Sequence, residues 1–131
     1  MAIRSLKITV IPHELERYAT VGDWQITGDV LHIDVSDLGD WRFNLMVGLH
    51  EAVEAVLCHA NGITQARVDA FDIDFEKSRP VLCIDEPGDE DTAPYYKQHQ
   101  LATGVERMLG AEMGVSWNAY ERANLEALKI K

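Results

Sequence analysis

A histidine and two glutamates stand close together in an apolar stretch of the chain, in the order His50-Glu51-x-x-Glu54. In an α-helix, His50 and Glu54 lie one turn apart on the same side, so an imidazole nitrogen and a carboxylate oxygen can reach one ion. Glu51 stands beside them, where a carboxylate can orient or deprotonate a water molecule on that ion. The pattern therefore predicts a divalent metal site with His50 and Glu54 as ligands and Glu51 as the catalytic base.

A second histidine and carboxylate pair follows in a later helical pattern. His99 and Glu106 are two turns apart and within about 20° of each other around the helix, at the margin of an apolar stripe. Two helices that each present such a pair can hold one ion between them. We expect His99 to be a third ligand and Glu106 to be a fourth ligand or a group that supports one.

The same residues also fit a structural role. His50, Glu51 and Glu54 can form the ordinary polar edge of a helix, with His50 hydrogen-bonded in the interior. If a metal does bind, a carboxylate at Glu54 shifts the preference toward harder ions, so Zn²⁺, Mn²⁺ and Mg²⁺ all stay open.

The His50-Glu51-x-x-Glu54 stretch resembles the helix of the zincin metallohydrolases, which carries His-Glu-x-x-His with the glutamate as general base. Glu54 occupies the place of the second histidine, and the resemblance covers five residues of 131. It implies a zincin-like fold and a metal-dependent hydrolase. Some zincins take a further ligand from an acid later in the chain, which makes Asp72 and Asp74 candidates, although both also fit the pattern of solvated acids.

Two further resemblances involve the same helix. The chain is similar to small phage- and prophage-encoded proteins that combine a His-Glu-x-x-Glu helix with a later Pro-Tyr-x-x-x-His helix, here residues 94–99, and this similarity brings no assigned activity. Glu51 and Glu54 also look like half of the Mg²⁺-binding carboxylate set of all-α NTP pyrophosphatases. The other half is missing, because Leu109 stands where the partner acid of Glu106 should be.

Composition limits the other classes of function. A length of 131 residues with 47% hydrophobic residues fits one domain, residues 1–131. The net charge of −10 repels phosphate backbones and anionic lipids, which disfavours direct binding of nucleic acids or membranes. The same charge, with five acids in residues 85–91, suggests an alternative: a non-catalytic acidic module that binds a basic protein or mimics a nucleic acid.

Two cysteines without a CxxC pair and the lack of an apolar leader favour a cytoplasmic setting.

The elements that position these residues follow from hydrophobic periodicity. Residues 6–11, 24–26 and 30–35 predict strands, the last two joined in a hairpin at Gly28, with Leu31, Ile33 and Val35 facing inward. Helical patterns cover about 41–60, 65–71, 94–113 and 117–128. Residues 72–76 predict an extended segment, 80–84 a short strand and 85–92 a solvated loop around Pro87-Gly88.

The expected fold is therefore α+β: a small N-terminal antiparallel sheet packed on two main helices, zincin-like, with a short C-terminal helix. Cys58 is expected to be a small buried apolar residue. His13, His32 and His59 have no partner pattern and are predicted at the surface.

Overall fold

The computed structural model describes residues 2–80 and 83–129. Its strands are β1 (Ser5–Ile11), β2 (Gly22–Thr27) and β3 (Val30–Ser36). Its α-helices are α1 (Trp41–Ala60), α2 (Gln65–Lys77), α3 (Tyr96–Glu112) and α4 (Trp117–Lys129), and two single 3-10 turns cover His13–Leu15 and Pro87–Asp89. The predicted α+β class is confirmed. None of the helices in this described part of the chain is long and apolar enough to span a membrane.

The three strands form one sheet in the order β1-β3-β2. β2 and β3 make the predicted antiparallel hairpin, with Gly28 at a φ of 62°, where a residue without a Cβ adopts the left-handed conformation at little cost. Side chains of β3 alternate as expected, since Leu31, Ile33 and Val35 are fully buried.

The prediction of an antiparallel sheet is wrong for β1, which pairs parallel with β3 from Ser5↔Val30 to Ile11↔Ser36. Residues 12–21 carry the chain past β3 to the far edge of the sheet, where β2 begins. β3 then returns between its two neighbours, so it runs in the direction of β1. Alternation within each strand does not show this arrangement, because pairing depends on contacts between distant parts of the chain.

His13, which we expected at the surface, is buried in this connection. Its Nδ1 lies 2.7 Å from Ser36 Oγ, and that hydroxyl donates to Glu16 Oε2 at 3.1 Å. The hydroxyl oxygen therefore accepts from His13, and the three side chains tie the connection to the end of β3. His32 and His59 are half-buried.

Helix α1 matches its predicted bounds. Asp40 caps it by accepting from the backbone N–H of Arg42, and Gly62 just beyond its end has a φ of 70°. The helix lies between the sheet and α3. Gly48 permits the close approach to the sheet, because a Cβ there would be 2.8 Å from Ile8 Cγ2. The core between these layers includes Leu31, Ile33, Val35, Met46, Ala55 and, as predicted, Cys58.

The extended segment predicted for residues 72–76 is wrong, because α2 continues through it to Lys77. Alternation over five residues is too short to separate a strand from a helix. The helix ends where Ser78 donates from both its backbone N–H and its hydroxyl to the carbonyl of Asp74. The predicted strand at 80–84 includes Val81 and Leu82, which lie outside the described residues, and Cys83 and Ile84 are not in a strand.

Candidate metal centre

Helices α1 and α3 lie side by side and bring three buried ligand atoms together. His50 Nε2 is 3.3 Å from Glu54 Oε2 and 3.2 Å from His99 Nδ1, and these last two atoms are 2.9 Å apart. Ligand atoms around a tetrahedral ion with bonds of about 2.1 Å are about 3.4 Å apart. His50, Glu54 and His99 therefore form a group that could hold a metal ion.

Local sequence explains why the two helices come so close. His50 and Glu54 share one face of α1 because they are separated by four residues. Gly110 of α3 lies against α1, where a Cβ would be 2.7 Å from Met46 Cε. Gly110 thus permits this close approach, because a Cβ there would require the end of the Met46 side chain to move.

Two of the three ligand side chains are held from behind by hydrogen bonds. Trp24 Nε1 donates to Glu54 Oε1 at 3.2 Å, which leaves Oε2 facing the imidazoles. His50 Nδ1 lies 2.8 Å from Glu106 Oε1, and the Tyr120 hydroxyl donates to the other oxygen of Glu106. A carboxylate behind a histidine fixes the N–H on that side, so the lone pair of His50 Nε2 faces the other ligand atoms.

Glu106 thus lies behind His50 and is not in the group of three residues that could hold an ion. The expectation that Glu106 is a fourth ligand or a supporting group stays a prediction, and the contact with His50 Nδ1 is the one that a supporting group would make.

The third ligand, His99, meets a segment that sequence reasoning treated as a solvated loop. Its Nε2 is 2.9 Å from Glu86 Oε2 and 3.3 Å from Asp89 Oδ1, and Gly88 between them is buried against the ring. Glu86 and Asp89 are exposed, as expected of a loop, but their contact with His99 was missed. The one available signal was Gly88 between two acids, since a glycine in such a turn permits close approach to a neighbouring side chain.

The charges of these groups shift one another's ionisation. Burial lowers the pKa of His50, but contacts with Glu106 and Glu54 outweigh it and raise this pKa well above 6.5. In the same way, Asp89, Glu54 and Glu86 outweigh burial and raise the pKa of His99. Burial raises the pKa of Glu54, yet the two imidazoles lower it to about 2. Without a metal, protonated imidazoles around ionised carboxylates are therefore favoured, and a binding ion must displace those protons.

Glu51, the predicted base, is half-buried on α1 and faces the start of β2. A Cβ at Gly22 would be 2.8 Å from Glu51 Oε1, and among the described residues Glu51 Oε2 has no hydrogen-bond partner. Burial and the charge of Glu54 raise the pKa of Glu51 well above 4.5. A buried carboxyl group whose pKa is shifted by burial and a neighbouring charge is a candidate acid–base group.

Asp72 lies at the side of the site. The hydroxyls of Tyr18 and Tyr95 both donate to it, the first at 2.9 Å. Burial, together with the charge of Glu54, raises the pKa of Asp72 to about 7, although the hydrogen bond from Tyr95 lowers it. Asp72 is therefore not a simple solvated acid, but it is not in the three-atom group either, and Asp74 is exposed.

A cavity of about 430 Å³ opens onto these residues, which is within the size range of small-molecule sites. His50, Glu51, Glu54 and His99 all line it. Its remaining wall mixes acids with apolar side chains and two arginines, Arg79 and Arg107. The three ligand residues and Glu51 therefore border one cavity.

Comparison with known proteins leaves the site to be interpreted from its own geometry. No protein-family model, curated protein or solved structure matches the chain. The fold brings the predicted ligands His50, Glu54 and His99 together, and it places Glu106 behind His50 and Glu51 beside the cavity.

Proposed function

We propose that this protein is a metal-dependent hydrolase that binds one divalent ion through His50 Nε2, Glu54 Oε2 and His99 Nδ1. The observation that carries the proposal is the convergence of these three buried atoms, within 3.3 Å of one another, at a cavity. Three protein ligands of the His₂Glu type, with a further position left for water or substrate, are characteristic of catalytic zinc sites. Two imidazoles favour Zn²⁺, and the carboxylate of Glu54 keeps the harder ions Mn²⁺ and Mg²⁺ as candidates.

The chemistry divides between the ion and the side chains. A bound ion supplies Lewis acidity, which makes water nucleophilic near neutral pH and polarises a substrate oxygen. Glu51 accepts the proton that the attacking water loses and returns it to the leaving group. Glu106 and Trp24 keep His50 and Glu54 oriented throughout, since each bonds the ligand atom that faces away from the ion.

Metal binding is tested on protein purified without a histidine tag, by calorimetric titration with Zn²⁺, Mn²⁺ and Mg²⁺. Wild type should bind Zn²⁺, and the free energy of unfolding should rise with ion concentration. His50→Ala and His99→Ala should lose this binding, whereas His59→Ala removes a histidine of α1 that is outside the three-atom group and should bind normally. Binding that is absent in wild type, or unchanged in both ligand variants, would refute the proposal.

The hydrolase part needs a separate measurement. Turnover of peptide, ester and phosphoester substrates should depend on added ion, and Glu51→Gln should lower it while Zn²⁺ still binds. If the ion binds and no substrate of the three classes is hydrolysed, a metal-binding role without hydrolysis replaces the proposal.

The alternatives from sequence have less support. The acidic interaction module stays a prediction, although two of its five loop acids, Glu86 and Asp89, contact His99 as well as solvent. The three-stranded sheet does not fit the all-α fold of the NTP pyrophosphatases. The zincin-like assignment and the similarity to phage-encoded proteins stay predictions.

A further inference from the structure

The ring of His99 has metal-binding groups on both of its nitrogen sides. On the inner side, Nδ1 faces Glu54 and His50. On the outer side, Nε2 is 2.9 Å from Glu86 Oε2 and 3.3 Å from Asp89 Oδ1. Despite these distances, Nε2 is buried and has no aligned hydrogen bond within the described residues, in a side chain that is 5% exposed. This buried nitrogen is thus in ion-pair contact with both carboxylates and points between their oxygens, aligned with neither.

The turn that carries these carboxylates is shaped around the ring. Gly88 packs so closely that a Cβ would lie 2.4 Å from His99 Cγ and 2.5 Å from its Nδ1. Asp89 also accepts from the backbone N–H of Glu86 at 3.2 Å, which holds the two acids together. Their side chains are 57% and 42% exposed, so an ion and its remaining waters can enter from solvent.

We propose that Glu86, Asp89 and His99 Nε2 form a second site for a divalent cation, and that the His99 ring bridges the two ions. Two oxygens and one nitrogen suit Zn²⁺, Mn²⁺ or Cu²⁺, with water completing the coordination. Metal–nitrogen bonds of about 2.1 Å on opposite sides of one imidazole put the ions about 6 Å apart. The bridge, but not the outer site itself, rests on the proposed function.

The bridging arrangement has a definite proton balance. A histidine coordinated only through Nδ1 keeps its proton on Nε2. The second ion takes the place of that proton, which is released to solvent as the new bond forms. The competing arrangement is a single inner ion with Glu86 and Asp89 merely supporting His99, as carboxylates commonly support a ligating histidine.

Cu²⁺ is the probe that separates these arrangements, because two Cu²⁺ ions joined by one imidazolate are magnetically coupled. Untagged wild type is titrated with Cu²⁺, bound copper is counted per chain, and the low-temperature EPR signal is integrated. We expect two ions per chain and an EPR intensity well below that of two isolated ions. The double variant Glu86→Gln/Asp89→Asn should bind one ion with the full intensity of one uncoupled Cu²⁺.

A matched control is the double variant Asp85→Asn/Asp91→Asn. It removes the same two charges from exposed positions on either side of the turn, outside the predicted ligand set. It should still bind two coupled ions. Equal loss in both double variants would show a general effect of charge and would overturn the second site.

The inner and outer sites fail in different ways. One ion in wild type that is lost in His50→Ala and kept in Glu86→Gln/Asp89→Asn overturns the second site and leaves the proposed function standing. One ion in wild type that is kept in His50→Ala and lost in Glu86→Gln/Asp89→Asn overturns the inner site and the bridge. Two ions with full, uncoupled EPR intensity overturn the bridge, and no bound ion overturns both proposals.

Discussion

Glu106 offers the sharpest test of the proposed metal site, because it would act on the ion only through His50. Its Oε1 lies 2.8 Å from His50 Nδ1, its other oxygen accepts from Tyr120, and all three side chains are buried. Glu106→Gln keeps the size of the side chain and removes its charge. His50 then faces a neutral amide, which both orients the ring less strongly and makes Nε2 a weaker ligand.

The expected loss follows from the kind of bond removed. A hydrogen bond to a charged group contributes about 1.5–3 kcal/mol and a neutral one about 0.5–1.5 kcal/mol, so the exchange costs about 1–1.5 kcal/mol. Since 1.4 kcal/mol is about tenfold in affinity, Glu106→Gln should bind Zn²⁺ about tenfold more weakly. Glu106→Ala, which removes the acceptor altogether, should approach the hundredfold loss seen when the partner of a ligating histidine is deleted.

The pH dependence of that loss has a predictable sign. Glu106 also raises the pKa of His50, so it strengthens the binding of the competing proton as well as the binding of the ion. Removing Glu106 weakens this competition, and the effect is greatest at low pH, where more His50 is protonated. The affinity ratio between wild type and Glu106→Gln should therefore grow as the pH rises.

Calorimetric titration of untagged protein with Zn²⁺ at about pH 6.5 and pH 8 measures both effects. Glu121→Gln is the control, because Glu121 is an exposed acid of α4 that lines the same cavity and is not bonded to His50. We expect its affinity to stay within about twofold of wild type, in keeping with a screened surface charge. Glu106→Gln that binds like wild type, or Glu121→Gln that loses as much, would refute the reasoning.

Three further predictions concern neighbouring residues and the core. The folded pKa of Asp72 is about 7 against an ordinary 3.8, so its stabilising contribution is fully present below pH 3.8 and is lost as the pH rises to 7. Asp72→Asn should remove that decline from the plot of the free energy of unfolding against pH, measured with urea in the presence of a chelator. The decline that is removed should be about 4 kcal/mol at most. Parallel plots for wild type and variant would contradict the prediction. Gly88→Ala should displace the turn from His99 and abolish binding of the second Cu²⁺. The control Gly104→Ala adds a methyl group in open space on α3, so it should still bind both ions and should raise the free energy of unfolding by about 0.5–1 kcal/mol. Leu31→Ala should lower the free energy of unfolding by about 2–5 kcal/mol in the same assay, because Leu31 is fully buried, and a smaller loss would mean that the site collapses around the cavity.

Elements with strong local signals could be predicted from the sequence. α1 combines an Asp40 cap, a long apolar stripe and an Asn-Gly exit, so its bounds follow from its own residues. The β2–β3 hairpin likewise needs only its alternation and Gly28. The parallel pairing of β1 depends instead on where residues 12–21 cross the sheet, which no short pattern in the chain records.

The same division applies to the site. His50 and Glu54 are related by one helical turn, and His99 could be linked to them only by assuming that two amphipathic helices pack along their margins. That assumption agrees with the contact between α1 and α3. Glu86 and Asp89 reach His99 through a turn that folds back on α3, and His13, just after β1, meets Ser36 at the end of the neighbouring strand β3. Contacts of this kind join distant residues, so periodicity within one element does not reveal them.

The energetics of the cluster favour the proposed binding role over a purely stabilising one. Burying ionised groups costs several kcal/mol per ion in desolvation, and well-packed apolar side chains of similar volume commonly stabilise a fold as well or better. Here His50, His99 and Glu54 occupy the interface between α1 and α3, where apolar packing was available. For His50 and Glu54, one polar atom bonds a neighbour and the other points at a common position. An ion pair needs only the contact between opposite charges, whereas a metal ion needs several oriented lone pairs at one point, and the proposed site requires this second arrangement of the two helices.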